Sequence, residues 1–203
     1  MRKTNFANDE YYHVYNRGTD KRKIFLDYKD YDRFIKSLDE FNSETPAWKF
    51  EFEVGPRIRL VEIIAYCLNP NHYHLILKQL KENGITEFMR KIGTGYTMYF
   101  NKKNERNGVL FQGKFKAIHI DSNEYLLYLS AYVNQNNFIH GYTKKNSWKY
   151  SSLDYYFGKK QNDICNPSSI LGQFRNENDY REFVCDNAQH LKEKKQLEKY
   201  LLE

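Results

Sequence analysis

His72-Tyr73-His74 opens an apolar run that continues through Leu75, Ile76 and Leu77. In a β-strand the side chains alternate between faces, so residues two apart point the same way. On such a strand both imidazoles project from one face, close enough to hold a single divalent cation. Downstream, Tyr132 and Asn136 stand four apart in a helix-patterned stretch, which puts them on one helix face a turn apart. A phenol held beside a cation-bound phosphate is positioned to attack phosphorus and form a phosphotyrosine bond. The cation would polarise the non-bridging oxygens. Asn136 contributes an amide oxygen, which suits a hard ion such as Mg²⁺ or Mn²⁺. Two imidazoles and one amide leave coordination positions for phosphate oxygens and water.

Placing these groups requires a sheet and a late helix. Tyr11 to Tyr15 has strand composition and ends at the turn signal Asn16-Arg17-Gly18. Tyr31, Phe34, Ile35, Leu38 and Phe41 carry helical spacing over Asp30 to Phe41. Ser43 to Gly55 reads as irregular. A strand is expected from Ile58 to Leu68, a turn at Asn69-Pro70-Asn71, and a returning strand from His72 to Lys78. Ile85, Phe88, Met89, Ile92, Tyr96 and Tyr99 form a second helical stripe. Gly93 and Gly95 interrupt it at roughly 1 kcal/mol each, which points to close packing or a bend rather than a phosphate-binding nest. Lys114 to Ile120 alternates like a strand, and Asp121 or Ser122 caps a helix expected from about Asn123 to Ile139. Gly158 to Pro167 is polar and linker-like, and a tail helix begins near Asn178. This order predicts an α+β fold: a ferredoxin-like antiparallel sheet with helices on one face, the tyrosine on a late helix, and a C-terminal helical tail. Residues 1–158 form the expected catalytic unit, and 159–203 a linker with a helical extension.

The whole chain agrees with a nucleic-acid partner. Its 203 residues suffice for one well-filled domain, and the net charge of +6 with a pI of about 9.0 favours a polyanion. Eighteen tyrosines and 14 phenylalanines supply core, and also aromatic faces on which unpaired bases can stack. The three scattered cysteines, Cys67, Cys165 and Cys185, form no CxxC pair, which argues against a disulfide framework or zinc knuckle and for a reducing compartment. The opening residues have no apolar signal-peptide core and no stretch approaches a membrane span, so a cytoplasmic location is expected.

Taken in order, these segments resemble the single-tyrosine HUH transposases, most closely the REP-associated tyrosine transposases. The matching motifs are Tyr12 to Gly18, Ile24-Phe25 with Asp30-Tyr31, Ala65 to Leu75, Tyr99 to Asn101, Gly108 to Lys116, Tyr132 with Asn136, and Trp148 to Ser152. A bare HxH is a weak motif, whereas this ordered set over residues 11–158 is specific. The resemblance implies that Tyr132 is the nucleophile, that His72 and His74 are the metal pair, and that a polar third ligand follows the tyrosine by about one turn. It implies cleavage of single-stranded DNA, often near a hairpin, with a 5′-phosphotyrosine link, a free 3′-hydroxyl and rejoining by the reverse step. The chain departs from the family in two places. Asn69 stands where methionine is common before Pro-Asn-His, a change expected to matter little in a turn. Asn137 replaces the usual proline, and Gln135 competes with Asn136 for the third-ligand role; spacing favours Asn136. Relatives work as dimers or monomers, and both states stay open.

Each residue also has a plainer reading. A histidine pair on a strand is usually ordinary polarity, and one tyrosine among 18 is usually a packing residue. His13 and His119 read first as structural strand histidines. Arg17, Lys114 and Lys116 are candidate phosphate contacts, as are Lys144, Lys145 and Lys149 more loosely. The run Lys192-Glu193-Lys194-Lys195 reads as a solvated helix face. The competing function is a ferredoxin-like module that binds single-stranded nucleic acid without cutting it. A replication or conjugation nickase of the wider HUH group is disfavoured by the short chain.

Overall fold

Four strands carry the architecture in this computed structural model, which describes residues 5–44, 57–144, 148–159 and 164–200. They are β1 (Tyr11–Arg17), β2 (Val61–Asn69), β3 (His72–Gln79) and β4 (Lys116–Ile120), all antiparallel in the order β2-β3-β1-β4. This is the expected ferredoxin-like sheet. The β2–β3 hairpin closes over Pro70 and Asn71, with Asn69 paired to His72. Strand β2 starts at Val61 rather than Ile58, and a register shift between Ile63 and Ala65 interrupts its pairing. Most of the irregular stretch expected at Ser43 to Gly55, with Lys145 and part of the linker, falls outside the described residues.

Helices α1 (Tyr28–Glu40) and α2 (Gly84–Lys103) cover the face bearing Tyr73. Asp27 caps α1 by accepting from the Asp30 N–H at 3.2 Å, and Tyr31, Phe34 and Leu38 form its buried stripe. Phe34 lies 5.1 Å from Tyr73 and 5.0 Å from Tyr96 of α2, centroid to centroid, which locks both helices to the sheet. Each such fully buried apolar side chain contributes roughly 1.5–3 kcal/mol. Gly95 has the packing reason its sequence context suggested: a Cβ there would sit 2.5 Å from the Phe41 ring. Gly93 instead has open space beside it.

The opposite face receives the late helices. Ser122 caps α3 (Asn123–Asn134) by accepting from the Tyr125 N–H, and α4 (Asn136–Ile139) follows after a break. The helix expected to run unbroken to Ile139 therefore stops at Asn134. Its side chain is engaged elsewhere, with Oδ1 taking the Ser152 hydroxyl at 2.5 Å and Nδ2 donating to the Tyr180 hydroxyl at 3.0 Å. Asparagine also propagates helix poorly, because its amide competes for backbone partners. Residues 148–156, including the short α5 (Leu153–Tyr156), tie this layer to the outer edge of β2 through Leu68 N–H to Tyr150 O and Ser152 N–H to Tyr66 O. After α6 (Ser168–Leu171), the tail helix α7 (Glu177–Tyr200) packs on α3 and α4 through buried Tyr180, Val184 and Ala188.

Candidate active site

The alternation of β3 puts His72 and His74 on the face turned towards α3, with ring centroids 5.1 Å apart and planes at 89°. Cross-strand register sets Arg17 and Asn69 beside His72, and Tyr15 and Cys67 beside His74. The hydrogen bonds fix the His72 tautomer. Its Nδ1 lies 2.7 Å from Asn71 Oδ1, and that amide is oriented by donation of its Nδ2 to the Lys21 carbonyl at 3.2 Å. Nδ1 therefore carries the proton, and Nε2 offers a lone pair. His74 Nδ1 lies 2.8 Å from His13 Nε2. When His13 accepts from Nδ1–H, His74 too presents Nε2 as a ligand atom. His13 thus belongs to the site as a support for His74, whereas His119 bonds Glu10 and stands apart.

Burial keeps these imidazoles neutral. It lowers the His72 pKa, partly opposed by the Asn136 amide oxygen, which would accept from the protonated ring, and pushes His13 down to about 4. His74 is held well below the ordinary value by burial and then by the neighbouring histidines. Neutral rings expose lone pairs at physiological pH, as cation binding requires.

Tyr132, on α3, brings its ring 5.8 Å from that of His74 at 79°, and its hydroxyl 3.4 Å from His140 Nε2. Burial raises its pKa, partly opposed by the nearby Asn136 amide, so the free phenol keeps its proton near neutrality. Asn136 is fully buried; its Oδ1 lies 3.3 Å from His72 Nε2 and 2.7 Å from Asn69 Nδ2, and its own Nδ2 has no partner among the described residues. Gln135 occupies the break between α3 and α4, and its Nε2 is likewise buried without a partner. The amide that meets His72 is that of Asn136. The turn role expected for Asn69 is corrected: it is the last residue of β2, fully buried, with its Nδ2 also 3.0 Å from His72 Nε2.

Arg17 and Lys116 line a cavity of about 330 Å³ together with Tyr15, Asn71, His72 and His74. Lys114 lines instead a neighbouring, mostly apolar groove of about 770 Å³ between α2 and residues 109–115. Lys149 faces Asp32 and the Tyr150 ring. Three residues not singled out by sequence reasoning also reach the site. The His140 ring is 5.8 Å from that of His72, the Tyr142 ring 6.0 Å from it, and the Tyr15 ring 5.7 Å from that of His74. For His140 a signal existed, because 132, 136 and 140 repeat at intervals of four. The tail run is not wholly solvated: Lys195 Nζ contacts His140 Nδ1, and Lys192 Nζ lies 3.6 Å above the Phe138 ring, because α7 packs on α4.

The donor set fits a hard divalent cation. Neighbouring ligands of an octahedral ion with bonds of about 2.1 Å stand about 3 Å apart, and the 3.3 Å between His72 Nε2 and Asn136 Oδ1 is near that span. Among the described residues no group of three or more His, Cys, Asp or Glu side chains forms a conventional metal cluster. The fit therefore depends on the amide oxygen as third donor.

The match to known families falls on these same elements. Residues 57–136 match the family described as "Transposase IS200 like". The matched stretch runs from before β2 to Asn136 and holds the histidine pair and Tyr132. A solved REP-associated tyrosine transposase bound to a REP hairpin shares its fold, with TM-score 0.59 and 17% identity over 84% of this chain and 96% of that one. A Deinococcus radiodurans R1 protein named as a candidate transposase aligns over 66% of this chain and 95% of its own, at 13% identity and TM-score 0.40, too distant to bear on fold or function. No curated protein matches the chain. Among the described residues no helix is long and apolar enough to cross a membrane.

Proposed function

We propose that the chain is a metal-assisted, single-tyrosine strand transferase acting on single-stranded DNA that contains a hairpin. The observation that carries this reading is the meeting of Tyr132 and Asn136 with the His72–His74 pair. His72 Nε2, His74 Nε2 and Asn136 Oδ1 would hold Mg²⁺ or Mn²⁺, which when bound polarises the scissile phosphate. The phenolic oxygen of Tyr132 attacks phosphorus, the bond to the 3′ oxygen breaks, and the products are a 5′-phosphotyrosine and a 3′-hydroxyl. With Nδ1 facing the Lys195 ammonium, His140 carries its proton on Nε2, 3.4 Å from the phenol. It would orient the phenolic oxygen by donating to it, while the phenolic proton passes to solvent and the leaving 3′ oxygen takes one up. Attack by a 3′-hydroxyl reverses the step, so rejoining needs no nucleotide cofactor.

Arg17 and Lys116 line the cavity beside the histidines, where they would contact flanking phosphates, with Lys114 extending the path. A hairpin substrate is supported by the motif resemblance and by the similar structure, which is bound to a REP hairpin. Tyr132 lies beside the histidines of its own chain, so a monomer holds every group the reaction uses. In this reading residues 1–158 carry the chemistry, the extension 159–203 buttresses α3 and α4, and the enzyme works in the cytoplasm.

The test is incubation of labelled hairpin-containing single-stranded DNA with the protein and Mn²⁺. Adducts that vanish in Tyr132→Phe and His72→Ala support the reading. Tight, metal-independent DNA binding with no cleavage by the wild type would favour the non-catalytic module instead.

A further inference from the structure

Asn69 occupies a position that the chemistry of the ligand set makes informative. Its Nδ2 lies 2.7 Å from Asn136 Oδ1 and 3.0 Å from His72 Nε2, atoms themselves 3.3 Å apart. Because the Nδ1 proton of His72 is committed to Asn71, both of these atoms are acceptors. Two lone pairs facing each other at that distance repel unless positive charge lies between or beside them. The amide NH₂ of Asn69 has two N–H donors, and this geometry offers one to each acceptor. Full burial at the end of β2 and pairing with His72 in the hairpin hold it there.

We propose that Asn69 is a built-in surrogate for the cation: its amide satisfies His72 and Asn136 in the metal-free protein and releases His72 when the metal binds. The inference rests on the reading of His72, His74 and Asn136 as metal ligands. Release follows from lone-pair counting. Imidazole Nε2 has one lone pair, which cannot serve an N–H and a cation together. The Asn136 carbonyl oxygen has two, so it can keep Asn69 while it binds the ion. Asn69 therefore stabilises the metal-free fold and competes with metal, so its removal should do the reverse on both counts.

The experiment uses the full chain and Mn²⁺ alone, without DNA. Free Mn²⁺ is followed by electron paramagnetic resonance, and thermal midpoints are taken with and without the ion. Asn69→Leu keeps approximate shape without the donors; Asn69→Met is the second variant should Leu impair folding. Either variant should bind Mn²⁺ roughly two- to tenfold more tightly than wild type, the span of one net hydrogen bond. Its metal-free midpoint should fall and its Mn²⁺-induced rise should grow. Unchanged or weaker Mn²⁺ binding in the folded variants overturns the proposal. In the wild type, the side-chain amide resonances of Asn69 should move on Mg²⁺ addition as one N–H is freed, and resonances that stay put overturn it independently of any variant. His72→Ala separates the two levels. If His72→Ala binds Mn²⁺ as well as wild type, or if the wild type itself does not bind it, the ligand assignment fails and takes the surrogate with it. Wild-type binding that depends on His72 but is unimproved by Asn69→Leu or Asn69→Met removes the surrogate alone.

Discussion

Replacing His13 with Phe should change how the metal-free protein responds to acid. His13 sits on β1 at 6% exposure, with Nε2 2.8 Å from His74 Nδ1, and burial pushes its pKa from 6.5 down to about 4. Between those values the unfolded chain takes up a proton that the folded chain refuses. The stability contributed by neutral His13 is therefore complete above pH 6.5 and is lost as pH falls towards 4. At pH 4.5 the loss is roughly 2–3 kcal/mol. In His13→Phe that loss disappears, while the Nδ1–H of His74 is left without an acceptor at about 1–3 kcal/mol. The other low-pKa histidines are common to both proteins, and His74 keeps the burial that dominates its own depression. Urea unfolding at pH 7.5 should find the variant less stable, and at pH 4.5 the difference should shift in its favour by roughly 2–3 kcal/mol. A difference between the two proteins that is the same at both pH values would refute the reasoning.

Three further outcomes are expected. Gly95→Val should cost about 1–3 kcal/mol by pressing on the Phe41 ring, whereas Gly93→Ala, with open space beside it, should be neutral or gain up to about 1 kcal/mol of helix propensity; thermal midpoints distinguish them. Ser152→Ala removes the oxygen that accepts the Tyr66 N–H at 2.8 Å and donates to Asn134, and should cost about 1–3 kcal/mol in urea unfolding without altering Mn²⁺ affinity. Arg17→Ala and Lys116→Ala should each weaken binding of single-stranded DNA across sequences and lower the salt dependence by about one phosphate contact, as read by fluorescence anisotropy at several salt concentrations.

The parts legible in the sequence are those encoded by local period. Alternation in His72 to Leu77 puts both imidazoles on one face, and the helical stripes of α1 and α2 mark the residues that fill the core. The pairing of Tyr132 with Asn136 was legible for a reason only half right, because the helix breaks at Gln135 between them. That break depends on Ser152 and Tyr180, residues 18 and 46 positions from Asn134, which no local pattern discloses. The support of His74 by His13 and the contact of Asn69 with both His72 and Asn136 are products of strand register and tertiary packing. Lys195 reaches His140 only because the tail helix docks on α4, so a charge run that looks solvated in one dimension is partly engaged in three.

Identifying the tyrosine that carries DNA tests the central claim most directly, because Tyr15 and Tyr142 also lie within ring contact of the histidine pair. Wild-type protein would be incubated with single-stranded hairpin DNA and Mn²⁺, digested, and its nucleotide-bearing peptide sequenced by tandem mass spectrometry. A 5′-phosphate linkage on Tyr132 alone is expected. A linkage on Tyr15 or Tyr142, or cleaved DNA with no protein-bound nucleotide, would contradict it.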